Sequence, residues 1–189
     1  ISSNVVCRGE RIPVIGNITI YAGGNLTLFN TTITFQTDAN GSNFINKTPN
    51  GGLYIYDNDS NANTTEDQSI ITSSDANYRY NFWAYGTGSN DNFSIKNSKI
   101  EYAGYNGGSY GMQLYNISNV LVYNNNFTNS YYSVYLYNSR YINITNSSFI
   151  SNYYGVYTNM SRDIIIANNT AESSSNYGIY AYSTSYANI

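Results

Sequence analysis

The 189-residue sequence contains no histidine, one cysteine, two prolines and few charged side chains. Without histidine, the residue used most often for acid–base catalysis near neutral pH is unavailable. The single cysteine, Cys7, has no partner for a disulfide bond within the chain. Charged residues make up 10% of the sequence, against roughly 25% in typical soluble domains, so uncharged polar side chains must cover the surface.

The distribution of charged and apolar residues disfavours two classes of partner. The net charge is −3, and no run of basic residues offers a footprint for nucleic acid. No apolar stretch approaches the roughly 18 residues of a spanning helix, so no membrane insertion is expected in this segment. The sequence starts at Ile1 rather than Met, which leaves open a removed signal peptide or a cut from a larger protein.

Asparagine, serine, threonine and 23 tyrosines dominate what is present. The scarcity of alanine, leucine, glutamate and lysine disfavours helices and favours strands. Disorder is the alternative for a chain so rich in asparagine and serine. The regular recurrence of β-branched and aromatic residues argues against it.

An eight-residue pattern recurs along the chain: apolar, any, apolar, any, Asn, any, any, apolar. It occupies 120–127, 142–149 and 164–171, which lie 22 residues apart, and also 26–33 and 93–100. A second alternating stretch recurs at 111–114, 133–136, 155–158 and 178–181, with steps of 22, 22 and 23 residues. Alternation turns one side of each strand inward, and stacked repeats share one continuous core.

The length of the repeat selects the fold class. A period of about 22 residues is too short for a helical-hairpin repeat, and the signature of a leucine-rich repeat is missing. We therefore predict an all-β fold, a right-handed single-stranded parallel β-helix with two or three short strands in each coil.

The asparagine at the fifth place of the pattern is predicted to form a ladder inside a turn. Asparagine tolerates left-handed backbone, and amides stacked at about 4.8 Å can bond to one another. The members of this asparagine column are Asn30, Asn97, Asn124, Asn146 and Asn168. A ligand groove lined by the same side chains is the functional alternative.

The later repeats resemble those of NosD-type and carbohydrate-associated β-helix proteins. The stretches GNITIYAGGNLTLFN (16–30), GGLYIYD (51–57) and IKNSKIEYAG (95–104) are similar to coils of large archaeal cell-surface proteins of the surface-layer, sheath or adhesin-like kind. The resemblance implies an extracellular solenoid. It implies little about activity, because this fold carries lyases, epimerases, adhesins and surface layers.

Residues 1–13 are expected to form an N-terminal extension or cap, and residues 14–189 the solenoid. Loop insertions are expected around 36–50, 57–67 and 104–111, where the repeat loosens. Residues 187–189 fall on the opening places of the pattern, which predicts an uncapped C-terminal coil. Either the solenoid continues in a longer protein, or another subunit covers that end.

Sequons in loops are predicted to carry N-glycans on an exported protein. The predicted sites are Asn40, Asn46, Asn58, Asn63 and Asn116. The sequons within the asparagine column, at Asn30, Asn146 and Asn168, are expected to be buried and unmodified. Cys7 is either a buried inert thiol or the source of an intermolecular disulfide.

The acidic run 57–67 begins with the alternating oxygen ligands of a calcium loop. The candidate ligands are Asp57, Asp59, Asn61, Asn63 and Glu66. The run then departs from the motif, because Ala62 stands where glycine is needed and Gln68 where a bidentate glutamate is needed. A solvated acidic loop without metal is the alternative, and no other cofactor is predicted.

Tyrosines align one repeat apart in three columns. The columns are Tyr110, Tyr132, Tyr154 and Tyr177; Tyr135, Tyr157 and Tyr180; and Tyr115, Tyr137 and Tyr182, the last interrupted by Asn159. Cross-strand stacking explains such columns structurally. An outward stripe of Tyr135, Tyr137, Tyr157 and Tyr180 could also serve as an assembly surface for a neighbouring subunit, or dock a sugar.

The acidic residues are scattered over the repeats, so no catalytic residues are predicted. Arg140 and Arg162 align one repeat apart, which an exposed turn with a local ion pair to Asp163 explains. We expect a structural glycoprotein of an extracellular surface layer, sheath or filament. It would bind to itself through the solenoid ends, the tyrosine-rich faces or both, or to other envelope proteins. A carbohydrate-binding or adhesin module is the first alternative, and a polysaccharide lyase or epimerase the second.

Overall fold

The computed structural model describes residues 1–59, 66–105 and 110–189. These residues form short β-strands joined by turns, and none of them belongs to a helix that could span a membrane. All the described strand pairs are parallel, and each coil adds one strand to each of three sheets. The predicted all-β, right-handed parallel β-helix is confirmed.

The first eleven strands are β1 (Asn4–Arg8), β2 (Arg11–Val14), β3 (Ile18–Ile20), β4 (Asn25–Phe29), β5 (Thr32–Phe35), β6 (Phe44–Lys47), β7 (Gly52–Tyr56), β8 (Ile70–Ser73), β9 (Asn81–Tyr85), β10 (Phe93–Lys96) and β11 (Lys99–Glu101). The others are β12 (Met112–Tyr115), β13 (Ser118–Tyr123), β14 (Asn126–Thr128), β15 (Tyr132–Tyr137), β16 (Arg140–Thr145), β17 (Ser148–Ile150), β18 (Tyr154–Asn159), β19 (Arg162–Ala167), β20 (Thr170–Glu172), β21 (Tyr177–Tyr182) and β22 (Ser185–Asn188).

Every third strand belongs to the same sheet. Sheet A runs from β1 to β22, sheet B from β2 to β20 and sheet C from β3 to β21. In the C-terminal half, Val120 pairs with Ile142 and Ile142 with Ile164, which keeps the predicted step of the repeat. The step is larger in the N-terminal half, where Leu53 pairs with Phe93, because longer connections separate the strands there.

Alternate residues of each strand point into the solenoid and form its core. In sheet A, Leu28, Ile55 and Ile95 occupy one column and are fully buried. In sheet B, the rings of Phe127 and Phe149 stack 5.2 Å apart. Full burial of a side chain of this kind stabilises the fold by roughly 1.5–3 kcal/mol, so these columns supply the main stabilisation.

The asparagine column has the predicted backbone but not the predicted burial throughout. All five residues have left-handed φ angles, between 46° and 55°. Asn124 Nδ2 donates to Asn97 Oδ1 at 2.9 Å, which confirms the ladder at this step. Asn30 is half-buried, and Asn146 and Asn168 are exposed, so the expectation that these three sequon residues are buried was wrong.

The buried ladder of this turn uses the next residue along the chain. The Ser98 N–H donates to Asn125 Oδ1 at 3.0 Å, and the Asn125 N–H donates to Ser147 Oγ at 3.1 Å. The Ser147 N–H donates in turn to Asn169 Oδ1 at 2.8 Å. A residue with left-handed backbone precedes each of these positions. The side chain at the position therefore points into the coil, where its oxygen accepts a hydrogen bond from a backbone N–H of the preceding coil.

The other two turns of the coil contain the same kind of hydrogen bond, from a backbone N–H to a side-chain oxygen of the next coil. The Ser130 N–H donates to Asn152 Oδ1 at 2.8 Å, after the left-handed residue Asn129. The Ser139 N–H donates to Ser161 Oγ at 3.1 Å. Buried backbone donors that the sheets leave unpaired are thus satisfied by small polar side chains, which explains their abundance in this sequence.

Candidate functional site

The outward side of sheet C is called here the tyrosine face, and two of its registered columns carry no charged residue. One column runs through Thr19, Asn46, Trp83, Gln113, Tyr135, Tyr157 and Tyr180. The other runs through Tyr85, Tyr115, Tyr137, Asn159 and Tyr182. In a third column, Tyr132 pairs with Tyr154 and Tyr154 with Tyr177, so the register predicted for the paired tyrosines is confirmed.

The tyrosine rings stack from coil to coil. Tyr132 and Tyr154 lie 4.5 Å apart with ring planes 5° apart, and Tyr135 and Tyr157 lie 5.3 Å apart. Tyr132 also meets Tyr135 edge-on at 5.5 Å, which joins the columns to one another. Aromatic pairs of this geometry are worth about 0.5–1.5 kcal/mol each beyond the area they bury, so the rings stiffen the sheet.

Exposure varies across the predicted assembly surface. Tyr135 is only 8% exposed, because the rings of Tyr110 and Tyr157 cover it, whereas Tyr137, Tyr157 and Tyr180 are half-buried. Burial raises the pKa of Tyr135 and of Tyr157, and neighbouring phenols add to the shift. Tyrosine is uncharged at neutral pH even in solution, and the partial burial of these rings is typical of tyrosine at protein interfaces.

A groove of about 590 Å³, called here the aromatic groove, lies on the outward side of sheet A. It is lined by the rings of Phe29, Tyr56 and Tyr123 and by the polar side chains of Asp57, Lys96 and Asn97. The Phe29 and Tyr56 rings lie 5.7 Å apart. Apolar rings beside a few hydrogen-bonding groups form the usual chemistry of a small-ligand pocket.

Three carboxylates converge beside this groove. Oxygens of Asp57, Asp59 and Asp67 all lie within 4.8 Å of one another. Burial raises the pKa of Asp57, an effect that a hydrogen bond from Asn97 opposes and the charges of Asp67 and Asp59 reinforce. Such a set of oxygens could hold a hard divalent cation.

The predicted calcium ligands are only partly brought together. Asp57 and Asp59 are in the cluster, and the exposed Glu66 is not part of it. Asn61 and Asn63 lie outside the described residues. Asp67 supplies the third carboxylate, although neither it nor the predicted ligand Glu66 falls on a ligand place of a calcium loop. Calcium binding stays a prediction.

The predicted glycan acceptors differ in accessibility. Asn40 and Asn58 are exposed, whereas Asn46 and Asn116 are half-buried. The Asn46 Oδ1 atom is buried on the tyrosine face, and Asn116 Nδ2 donates to the Gly86 carbonyl at 3.3 Å. Asn63 lies outside the described residues. Exposed sequons also occur at Asn92, Asn146 and Asn168, the last two being column residues that were expected to be buried.

Cys7 lies in β1 opposite Leu28 and is 9% exposed. Burial raises the pKa of its thiol, and the charge of Glu10 adds to this shift. A buried thiol with a raised pKa is a poor nucleophile for disulfide exchange. The placement favours the buried-thiol alternative over an intermolecular disulfide.

Comparison with known proteins gives one match. The family model described as right handed beta helix region matches residues 14–189. No curated protein and no solved structure matches the chain significantly.

Proposed function

The chain belongs to the right-handed β-helix family, and we propose that it is a structural, non-enzymatic glycoprotein of an extracellular surface layer, sheath or filament. In this proposal its partner is a second copy of the chain or another envelope protein, bound through the tyrosine face. The resemblance of its N-terminal coils to archaeal cell-surface proteins supports the location. N-glycans at the exposed Asn40 and Asn58 belong to the same proposal.

The observation that carries the proposal is the lack of charge along the registered columns of the tyrosine face. Charged residues are depleted in the cores of protein interfaces and tyrosine is enriched, because a phenol buries a large apolar ring while keeping one polar end. The rings also repeat at the spacing of the coils. A second copy presents rows of identical spacing, so the two faces can interlock along their length.

Sedimentation velocity and electron microscopy of the protein over a range of concentrations test this association. The variant Tyr157→Ser, Tyr180→Ser, Tyr182→Ser removes rings from the face, and we expect it to stay monomeric where the unmodified protein forms ordered assemblies. The matched control is Tyr21→Ser, Tyr78→Ser, Tyr186→Ser, which removes three exposed rings elsewhere. Circular dichroism verifies that both variants keep the β-helix.

Two results would overturn the proposal. One is a monodisperse monomer at high concentration, and the other is equal loss of assembly in both triple variants.

The aromatic groove favours a second candidate, a carbohydrate-binding or adhesin module. Sugar rings stack on aromatic side chains and exchange hydrogen bonds with carboxylates and amides, and Tyr56, Asp57 and Asn97 supply these groups side by side. The test is retention of a glycan on an array by the unmodified protein and its loss in Tyr56→Ala, with the exposed Tyr21→Ala as control. Retention by an unassembled monomer would favour this function over the structural one.

The carboxylate cluster beside the groove motivates the third candidate, an enzyme acting on polysaccharide. Asp57 combines a buried carboxylate with a raised pKa, as general acids do. Any glycan retained on the array would be incubated with the protein and analysed for shortened, unsaturated or epimerised products. Their absence would favour a binding role.

A further inference from the structure

A pocket of about 260 Å³ lies at the turn from sheet C to sheet A, where Arg140 and Arg162 occupy the same position one coil apart. We propose that this arginine pocket binds a sulfate or phosphate oxyanion between the two guanidinium groups. The site is separate from the tyrosine face and from the aromatic groove.

The two arginines have different surroundings. Arg140 is half-buried, and its Nε and Nη2 atoms donate to the Gly88 carbonyl at 3.0 and 2.5 Å. This contact holds the guanidinium in place without neutralising it. The Arg162 side chain is 52% exposed, and its Nε atom lies 4.0 Å from Asp163 Oδ2. Within the described ranges, no other carboxylate comes within 4.0 Å of either arginine.

Two positive charges in register on neighbouring strands repel each other. Their backbones are about 4.8 Å apart and both side chains line the same pocket, so the two like charges raise the free energy of the anion-free site. An anion between the guanidinium groups replaces this repulsion by charge-assisted hydrogen bonds to both. Because Arg140 is already oriented by Gly88, little side-chain entropy is lost when the anion binds.

Uncharged polar groups complete the pocket. The Thr87 hydroxyl and the amides of Asn116 and Asn138 line it, and Asn138 Nδ2 donates to Asn116 Oδ1 at 3.3 Å. The nearby carboxylate of Asp91 is buried and accepts hydrogen bonds from the backbone N–H groups of Thr87 and Ser118, at 2.8 and 2.9 Å. Its charge is therefore engaged by backbone donors behind the pocket, and Asp163 is the carboxylate that opposes anion binding.

Isothermal titration of the intact chain with sodium sulfate and with sodium phosphate, at constant ionic strength, tests the proposal. We expect saturable binding to one site. Arg162→Gln removes a guanidinium that makes no structural hydrogen bond in the described residues, and should weaken binding about tenfold. The matched control Arg11→Gln removes another exposed arginine at the far end of the solenoid and should leave the affinity unchanged.

A gain-of-affinity variant separates the site from any effect on folding. Asp163 has a φ of 55°, which asparagine also tolerates, so Asp163→Asn removes the opposing charge without straining the turn. We expect it to tighten sulfate binding about threefold, a result that partial unfolding cannot produce.

Titration with heparin, a sulfated polysaccharide, distinguishes the source of the oxyanion. Arg162-dependent binding tighter than that of inorganic sulfate would assign the pocket to sulfate esters on a polymer, and binding of the inorganic ions alone would assign it to free anions. Equal sulfate affinity in the unmodified protein and in Arg162→Gln, or no saturable binding to the unmodified protein, would overturn the proposal.

Discussion

The side-chain amide of Asn97 donates a 2.9 Å hydrogen bond to the carboxylate of Asp57, which occupies the asparagine column one coil earlier. Asp57 is 3% exposed and is the charged member of a column whose later members are neutral amides. Burial, together with the charges of Asp67 and Asp59, raises the pKa of this carboxyl. The ionised Asp57 carboxylate therefore lowers the stability of the fold at this position of the column, beside the aromatic groove.

Asp57→Asn is expected to stabilise the protein. The amide keeps an oxygen to accept the bond from Asn97 and removes a dehydrated charge that faces two other carboxylates. We expect a gain of about 1 kcal/mol, or about 2–4 °C in Tm for a chain of this size, measured by thermal unfolding without added divalent cation. The control Asp38→Asn alters an exposed carboxylate and should leave Tm unchanged. A lower Tm for Asp57→Asn would contradict this account of the column.

The advantage of Asp57→Asn should depend on pH. The folded-state pKa of Asp57 lies above the ordinary value of 3.8, so its stabilising contribution is present below that value and is lost as the pH rises through the raised pKa. The gap in Tm between the variant and the unmodified protein is therefore expected near neutral pH and should close as the pH falls below about 4. A gap that stays constant with pH would mean that charge is not its cause.

Alkaline titration should separate two classes of tyrosine. Burial raises the pKa of Tyr132, Tyr135, Tyr154 and Tyr157 above the ordinary value of 10.0. Stability contributed by these phenols is present below pH 10 and is lost as the pH rises through their raised pKa values. Tyrosinate absorbance should therefore rise in two phases, the second of which coincides with loss of the β-sheet circular dichroism signal. A single phase near pH 10 with the fold intact would contradict the stacked arrangement.

Ser139→Ala is expected to destabilise the protein by about 1–3 kcal/mol, the cost of leaving a buried backbone donor unpaired. Ser139 Oγ accepts the Ile117 N–H at 3.2 Å, and the residue is 2% exposed. Ser133 is the matched control, because it is equally buried but its Oγ has no hydrogen-bond partner in the described part of the chain. Ser133→Ala should be neutral or stabilising in denaturant unfolding. Equal losses in both variants would argue against the inward ladders.

Gly111→Ala should destabilise the fold far more than Gly23→Ala. Both glycines have left-handed φ angles, 72° and 80°, so both substitutions carry a backbone penalty of about 1–2 kcal/mol. A methyl group on Gly111 would also overlap the carbonyl oxygen of Tyr132, whereas the space around Gly23 is open. Urea unfolding measures the difference, and similar losses in the two variants would contradict the close approach of the coils at Gly111.

Residues far apart along the chain could be paired from the repeat alone. The pattern predicts that Val120, Ile142 and Ile164 share a column, and the structure confirms it. Period-2 alternation specifies which side of a strand is buried, and a constant step specifies the register, so neither needs long-range information. The same reasoning aligned Tyr132 with Tyr154 and Tyr135 with Tyr157.

The burial of turn residues could not be predicted in this way. Sequence reasoning placed the asparagine column inside the coil, yet the inward side chains belong to the following residues, such as Asn125 and Ser147. Alternation stops at a turn, and a single left-handed residue decides which neighbour points inward. The sequence does carry a signal for this ladder, because a serine or an asparagine directly follows each of the last four asparagines of the column.

The sequence by itself determined the parallel β-helix, its register and its tyrosine columns, because each depends on a period carried by the order of residues. Only the tertiary structure decided that Asp57, Asp59 and Asp67 converge, that Tyr135 is covered, and that Arg140 is anchored by Gly88. These relationships involve the connections between strands, whose lengths differ from coil to coil. There the positions of side chains depend on packing between segments, which no repeat encodes.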